Sequence, residues 1–216
     1  MDKWVIFGFG DFISDIIDII HANEGTVKAV IDNDNLRQAD LDNLTRRLAL
    51  HSYEIPIIPL PEFSPSGDEK YTYGFLNTRE LVLKDLEKSY GITFSSLIHP
   101  SAYRGSHESL GRGVVISPHA IIGPNVKIDS FTLINRGACI GHDTEIGEFC
   151  QINPNASIAG LVKIGDRTTI GIGATVIDKI SIGVHSFVGA GAAVVKDVPD
   201  DVIVVGVPAK ILKKNE

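Results

Sequence analysis

The sequence predicts an α/β domain followed by an all-β solenoid, a parallel β-helix. Two observations carry that expectation: a β-α-β pattern within the first 34 residues and an aliphatic side chain at every sixth position through most of the second half. Stepping by six from Leu110, the chain gives Ile116, Ile122, Ile128, Ile134, Ile140, Ile146, Ile152, Ile158, Ile164, Ile170, Val176, Ile182, Val188 and Val194, fifteen aliphatic residues in succession. If about a quarter of residues were aliphatic at random, such a run would essentially never arise, and an internal period outranks local propensity as a signal.

The N-terminal half reads, in order, as a strand in WVIFGFG, a helix from Asp15 to His21 and a second strand in VKAVIDND. Gly8 and Gly10 let the backbone turn tightly beneath a phosphate, and Asp32 ends the second strand where it can accept a hydrogen bond from a ribose hydroxyl, a Rossmann-like arrangement. Ile13 stands where the third glycine of a dinucleotide fingerprint belongs. That counts against NAD and points to a nucleotide-sugar. The proline-rich stretch HSYEIPIIPLPEFSPSGDEKY is expected to be an irregular or edge-strand connection. Asn77 and Glu80 suggest a cap for a helix in RELVLKDLEKSYG, and ITFSSLIHP leads into the repeats. The expected domains are 1–96 and 97–216.

In the repeat region the residue after each aliphatic is often Gly, Asn or Asp, types that tolerate bends. Four residues after each aliphatic stands a mostly small or β-branched side chain, from Val114, Ala120, Val126 and Thr132 through to Val198. Two inward positions in six residues fit short strands meeting at corners. A helix has no period of six and a hairpin meander needs longer strands, so the economical solution is a triangular coil of three hexads, about five coils in all.

Composition narrows the function. A formal charge of −7 and no Lys/Arg-dense run argue against a nucleic-acid partner. The apolar runs are short and MDKWVIFG has no signal-peptide architecture, so no membrane span and a cytoplasmic location are expected. Cys139 and Cys150 match no zinc spacing and are expected to be small packed side chains.

The pattern aliphatic-Gly-x-x-small-x resembles the hexapeptide-repeat acyltransferases, which implies that the β-helix winds left-handed and that the protein is a homotrimer with active sites between prisms. The α/β domain, HPSA at 99–102, GHD at 141–143 and VGVPAK at 205–210 extend the likeness over nearly the whole chain. Together they resemble the sugar acetyltransferases of the sialic-acid O-acetyltransferase and bacillosamine N-acetyltransferase group. The resemblance implies that the first domain holds the nucleotide of an amino-sugar substrate while the prism binds acetyl-CoA as co-substrate, with no metal required. A carbonic-anhydrase-type zinc hydratase on the same prism would need a close histidine pair. His107, His119, His142 and His185 are separated by 12, 23 and 43 residues and offer none.

His142 follows Ile140 by two residues, at a corner where a side chain projects outward, and imidazole titrates near neutral pH as a general base for acyl transfer must. The matching histidine of the family is its proposed base. By resemblance, Asp143 orients or polarises that base. Asn135 matches a family position near the reacting centre, and reads equally well as a corner Asn in a bent conformation. Gly160, one coil beyond His142, is expected to leave open space beside the base for the thioester. Ile172 and Ala190, one coil apart on the neighbouring corner, resemble positions lining the acyl-CoA path. Gln151 stands where bacillosamine-type enzymes carry a second histidine that contacts acetyl-CoA. Phe12 stands where many members carry a histidine, and with Asp11 it implies a differently shaped substrate pocket. Asp32 and Asn33 align with the family's nucleotide-binding polar pair. Lys210, Lys213 and Lys214 of the basic tail could lie near the CoA phosphates, but a lysine-rich terminus is more often simply solvated, and they are left out of the site.

The function expected is acetyl-CoA-dependent N-acetylation of a nucleotide-linked 4-amino-4,6-dideoxy sugar in surface-polysaccharide or glycan biosynthesis. The alternatives are a sugar or sialic-acid O-acetyltransferase and a non-catalytic trimeric scaffold.

Overall fold

The apolar run Trp4–Phe7 is buried on both sides, as the middle strand of a parallel sheet must be. This computed structural model describes residues 1–8, 10, 12–32, 38–49, 55–75 and 79–215, in two units, Met1–Ser95 and Ser96–Glu216. In the first, β1 (Lys3–Phe7), α1 (Ile13–Ala22), β2 (Thr26–Asp32), α2 (Gln38–Ala49), β3 (Ile57–Pro59), β4 (Glu69–Tyr73) and α3 (Arg79–Tyr90) follow one another. The sheet order is β3-β2-β1-β4, all parallel, the order that opens a Rossmann-type sheet. Helix α1 buries Ile13, Ile16, Ile17 and Ile20 at spacings of three and four, and stops where the Asn23 side chain donates to the Ile19 carbonyl at 2.8 Å.

The stretch read as an irregular or edge-strand connection holds β3, and β4 begins in it; these are the two edge strands of the sheet. β3 ends on Pro59, which an edge strand tolerates, and β4 forms the opposite edge. Helix α2, where no element was expected, buries Leu44 and Leu48 one turn apart from a mostly polar sequence. The expected cap Asn77 lies outside the described residues.

The second unit is a left-handed parallel β-helix. Its three flat faces are parallel sheets of two-residue strands, each strand pairing with the one 18 residues on, as in Leu133↔Gln151, Cys139↔Ser157 and Glu145↔Lys163. We name the faces by Gln151, Cys139 and Glu145. Both inward columns fill the prism: the aliphatics from Ile116 to Val194 are at most 4% exposed, and the small residues from Val114 to Val198 at most 7%. Cys150 is buried in the second column, whereas Cys139 points outward and is half-buried.

Part of that second column is polar and saturates the backbone at one corner. Thr132 Oγ1 donates to the Gly147 carbonyl at 2.7 Å and accepts from the Cys150 amide at 3.0 Å. Thr168 Oγ1 repeats this two coils on, donating to the Gly183 carbonyl at 2.6 Å and accepting from the Ser186 amide at 3.1 Å. Buried backbone groups that the strands leave over are thereby paired.

The prism begins two strands before the aliphatic run does. Leu97–Ile98 pairs with Val115–Ile116 and Tyr103–Arg104 with Ile121–Ile122, but Arg104, ion-paired with Glu108, occupies an aliphatic's place and hides the register. At the far end one segment closes all three faces. Val198 bridges to Ile182, Val202–Val205 stacks on Phe187–Val188, and the amides of Ala193 and Ala209 bond to the Gly206 and Ala193 carbonyls. Lys210–Lys214 then pairs antiparallel as the outermost strand. Among the described residues no helix is long and apolar enough to cross a membrane.

Replacing Thr168 by valine keeps the volume but strands the Ser186 amide and the Gly183 carbonyl in a dry corner, and is expected to destabilise the prism by about 1–3 kcal/mol. Denaturant unfolding checks this; an unchanged midpoint would show that the inner polar column contributes nothing net.

Candidate active site

His142 and Asp143 form the turn between the Cys139 and Glu145 faces. Adjacent side chains usually diverge, but Asp143 takes a left-handed conformation, φ 56°, which Asp tolerates better than most residues. Its carboxylate thereby turns back onto the preceding ring, with His142 Nδ1 2.7 Å from Asp143 Oδ2. Asn125, one coil earlier and also left-handed at φ 58°, donates from Nδ2 to Asp143 Oδ1 at 3.0 Å. The hydrogen bond with His142, and after it the one from Asn125, holds the Asp143 carboxyl below the usual carboxylate range. With Asp143 ionised, Nδ1 carries the proton and donates it to the carboxylate, leaving Nε2 as the acceptor. The His142 side chain is 57% exposed, accessible to a substrate.

Gly160 has a different use from the one expected. A Cβ built there would fall 2.6 Å from His142 Nε2 and 2.7 Å from Cε1, so the imidazole itself fills the space that the glycine leaves. The missing side chain is a seat for the ring rather than an open approach for a thioester. Asn125 is the residue that sequence reasoning missed. The signal was available, because 125 and 143 are one 18-residue coil apart and a corner side chain meets its neighbour in the next coil.

The other expected residues lie elsewhere on the prism. Asn135, Ile172 and Ala190 lie on the corner between the Gln151 and Cys139 faces. Asn135 is 6% exposed and its Oδ1 accepts from the Arg136 amide at 2.8 Å, which fits a corner asparagine. Ile172 is 58% exposed and Ala190 is exposed. Gln151 projects outward, half-buried, from its own face. In a triangular cross-section the His142 corner is opposite the Gln151 face. The structure therefore joins His142, Asp143 and Gly160 and separates them from Asn135, Gln151, Ile172 and Ala190.

In the first unit, Gly8 at φ 64° donates its amide to the Ile31 carbonyl at 2.8 Å. A Cβ on Gly74 would fall 2.7 Å from the Gly8 carbonyl oxygen, so the ends of β1 and β4 approach as closely as glycine permits. Gly10 precedes α1, whose N-terminus is suited to an anion, and its carbonyl accepts from the Ile13 amide at 3.2 Å. Asp32 ends β2, buried at 9% exposure. Phe12, expected to shape the substrate pocket, is buried at 6%. Asp11 and Asn33 lie outside the described residues. Among the described residues, no three His, Cys, Asp or Glu side chains converge as a metal site requires.

No protein-family model matches this sequence, and no curated protein sequence matches it. Among solved structures the chain is similar to perosamine N-acetyltransferase from Caulobacter crescentus in complex with CoA and GDP-perosamine, at 30% identity and a TM-score of 0.83, over 99% of this chain and 98% of that one. It is similar to the acetyltransferase domain of PglB from Neisseria gonorrhoeae in complex with acetyl coenzyme A, at 26% identity and a TM-score of 0.82, over 97% and 98% of the two chains. WeeI from Acinetobacter baumannii matches at 25% identity and a TM-score of 0.77, over 98% of this chain and 100% of that one. The likeness runs through both units and the identity to the first of these extends over nearly the full length, so the chain belongs to the hexapeptide-repeat, left-handed β-helix family of sugar N-acetyltransferases.

Proposed function

We propose that this chain transfers the acetyl group of acetyl-CoA to the amino group of a nucleotide-linked 4-amino-4,6-dideoxy sugar, with His142 as general base. The observation that carries the reading is the His142–Asp143 pair, 2.7 Å from Nδ1 to Oδ2, which fixes the tautomer and leaves Nε2 as the proton acceptor. The sugar nitrogen attacks the thioester carbonyl while its proton passes to Nε2. Collapse of the tetrahedral intermediate breaks the C–S bond, and the proton leaves with the CoA thiol. Asp143 stabilises the imidazolium that forms in between, Asn125 holds Asp143, and Gly160 seats the ring. Gly8, Gly10, Asp32 and, by the family likeness, Asp11 and Asn33 are assigned to the nucleotide-sugar, and Phe12, buried at the start of α1, is assigned with them.

Asn135, Gln151, Ile172 and Ala190 are assigned to acetyl-CoA and the reacting centre, contributed by a second copy of the chain. Two observations support a homotrimer. The base and these residues are on opposite sides of one prism, and the Cys139 face between them is unusually apolar for a free surface, with Tyr103 63% and Ile121 46% exposed and Leu161, Ile177 and Val195 exposed beside it. Three copies packed about this face would bring the His142 corner of each to the Ile172 corner of the next. The cytoplasm, where acetyl-CoA and sugar nucleotides are available, is the location this chemistry requires.

Purified protein given acetyl-CoA and a panel of GDP-, UDP- and dTDP-linked amino sugars is expected to release free thiol with one of them. Reaction only with a hydroxyl sugar or free sialic acid would replace N-acetylation by O-acetylation, and silence from a folded trimer would favour a scaffold. His142→Ala should lower kcat by about 10²–10⁴-fold, the usual contribution of a positioned base. Asp143→Asn should cost less than that, since the base remains. Gly160→Ala should lower kcat with the melting temperature unchanged, because the added methyl displaces only the ring; full activity in this variant would refute the seat.

A further inference from the structure

The corner between the Gln151 and Cys139 faces differs from the other two in charge. Its turns, 99–101, 117–119, 135–137, 153–155, 171–173 and 189–191, contain no Asp or Glu, in a chain of net charge −7. The other corners carry carboxylates, Asp143 and Asp178 on one and Glu148, Asp166 and Asp200 on the other. This corner also changes along its length. Its first three turns hold His99, His119 and Arg136, and its last three no ionisable side chain at all. Arg136 and His119 are exposed, and His99 is half-buried. The backbone beneath the two exposed side chains is braced. The Arg136 amide donates to Asn135 Oδ1 at 2.8 Å and its carbonyl accepts from the Asn155 amide at 3.1 Å, while the His119 amide donates to Ser101 Oγ at 3.1 Å. Ser101 donates in turn to His99 Nδ1, from its amide at 3.0 Å and its hydroxyl at 2.7 Å, which puts the His99 proton on Nε2. Burial, and after it the nearby His119, holds the His99 imidazole below its usual range. His99 is therefore a neutral donor, and the basic groups of the corner are Arg136 and His119.

Height along the prism follows residue number, because each 18-residue coil rises by one strand spacing, about 4.8 Å. Arg136 precedes His142 by six residues, a third of a coil, and so lies within about 2 Å of the height of the base. His119 is almost one coil lower. In the proposed homotrimer, with its prisms side by side about the threefold axis, heights are shared, and the Arg136 corner of one copy meets the His142 corner of the next. The carboxylate across that seam, Asp143, has its two oxygens engaged by His142 and Asn125. The uncharged part of the corner, beyond the base, holds Ile172 and Ala190, which are assigned to the donor. The basic part, at and below the base, is left for the acceptor, whose anionic group, a diphosphate, is one sugar ring from the nitrogen that must reach Nε2. We infer that Arg136, contributed by a second copy, binds the diphosphate of the sugar nucleotide with its forked guanidinium, with His119 beside it, and sets the preference for a nucleotide-linked over a free amino sugar. This rests on the reading of the protein as a trimeric acetyltransferase.

Steady-state kinetics with the sugar nucleotide that releases thiol from acetyl-CoA tests this. Arg136→Ala should raise KM for the sugar nucleotide by about tenfold or more, as loss of charge-assisted phosphate contacts does, and leave KM for acetyl-CoA within about twofold of wild type. Arg136→Lys, which keeps the charge but not the fork, should recover part of the loss, and His119→Ala should raise the same KM by a smaller factor. Hybrid trimers assembled from His142→Ala and Arg136→Ala chains show which copy supplies the arginine. About a quarter of their sites pair an intact His142 with an intact Arg136 of the neighbouring copy, so kcat/KM should return to about a quarter of the wild-type value. Hybrids no faster than the average of the two parents, an unchanged KM for the sugar nucleotide in Arg136→Ala, or equal losses for both substrates overturn the assignment. A wild type that turns over no amino-sugar nucleotide would instead overturn the acetyltransferase reading, and this inference with it.

Discussion

The constraint on which everything else depends is that each coil must set its aliphatic side chain on the one 18 residues before. Burying an Ile or Val in this way is worth about 1.5–3 kcal/mol per residue, and the columns from Ile116 to Val194 are nearly completely buried. A slip of one residue would turn a whole column outward, so the register cannot drift and corner positions become fixed columns too. That is why Asn125 lies beside Asp143 and Gly160 beneath His142. The site is a consequence of the repeat: four residues on one corner, in three successive coils, held by the buried columns.

The same period decided what could be read from the amino-acid sequence. The inward columns were legible because burial selects for one residue class at a fixed interval. The first coil was not, since Arg104 reaches solvent from a position that an aliphatic fills elsewhere, and a terminal coil is covered on one side only. The closing segment was illegible for a related reason: each face is capped by a different short piece of chain, so no period survives. In the α/β unit β1, α1 and β2 were plain from apolar runs and spacing, the edge strands were legible only as an irregular or edge-strand connection, and α2, mostly polar, carries little of either. His142 was legible as a corner residue. At Gly160 the sequence showed a missing side chain one coil beyond His142 but not that the imidazole takes up the space, because a glycine in sequence does not signal what occupies its vacancy.

A triangular solenoid also limits how a bimolecular reaction can be arranged. Its corners diverge, so groups on one corner cannot meet groups on the opposite face of the same prism, however long the chain. Extra length adds coils and never brings the corners together. A two-substrate enzyme built this way must enlarge a loop or use a second copy. Here the corner turns are all short, and the face between the two sets of residues exposes the apolar side chains of Tyr103 and Ile121, which fits the second course.

The His142–Asp143 pair shows how little such a site needs beyond the fold. Each corner requires one residue in the left-handed region, a conformation costing roughly 1–2 kcal/mol for most side chains and least for Gly, Asn and Asp. On this corner the fold places Asn125, Asp143 and Leu161 there in successive coils. Leu161 bears the conformational cost without using its side chain polarly. At 125 and 143 the residue types that relieve the cost also have the side chains the chemistry uses, a carboxylate to orient the imidazole and an amide to hold the carboxylate. Glycine at 143 would turn the corner at least as well but leave the ring unheld, and a larger polar residue would hold the ring only at greater backbone strain. Asp satisfies both demands at once, so the turn that closes the coil also orients the base.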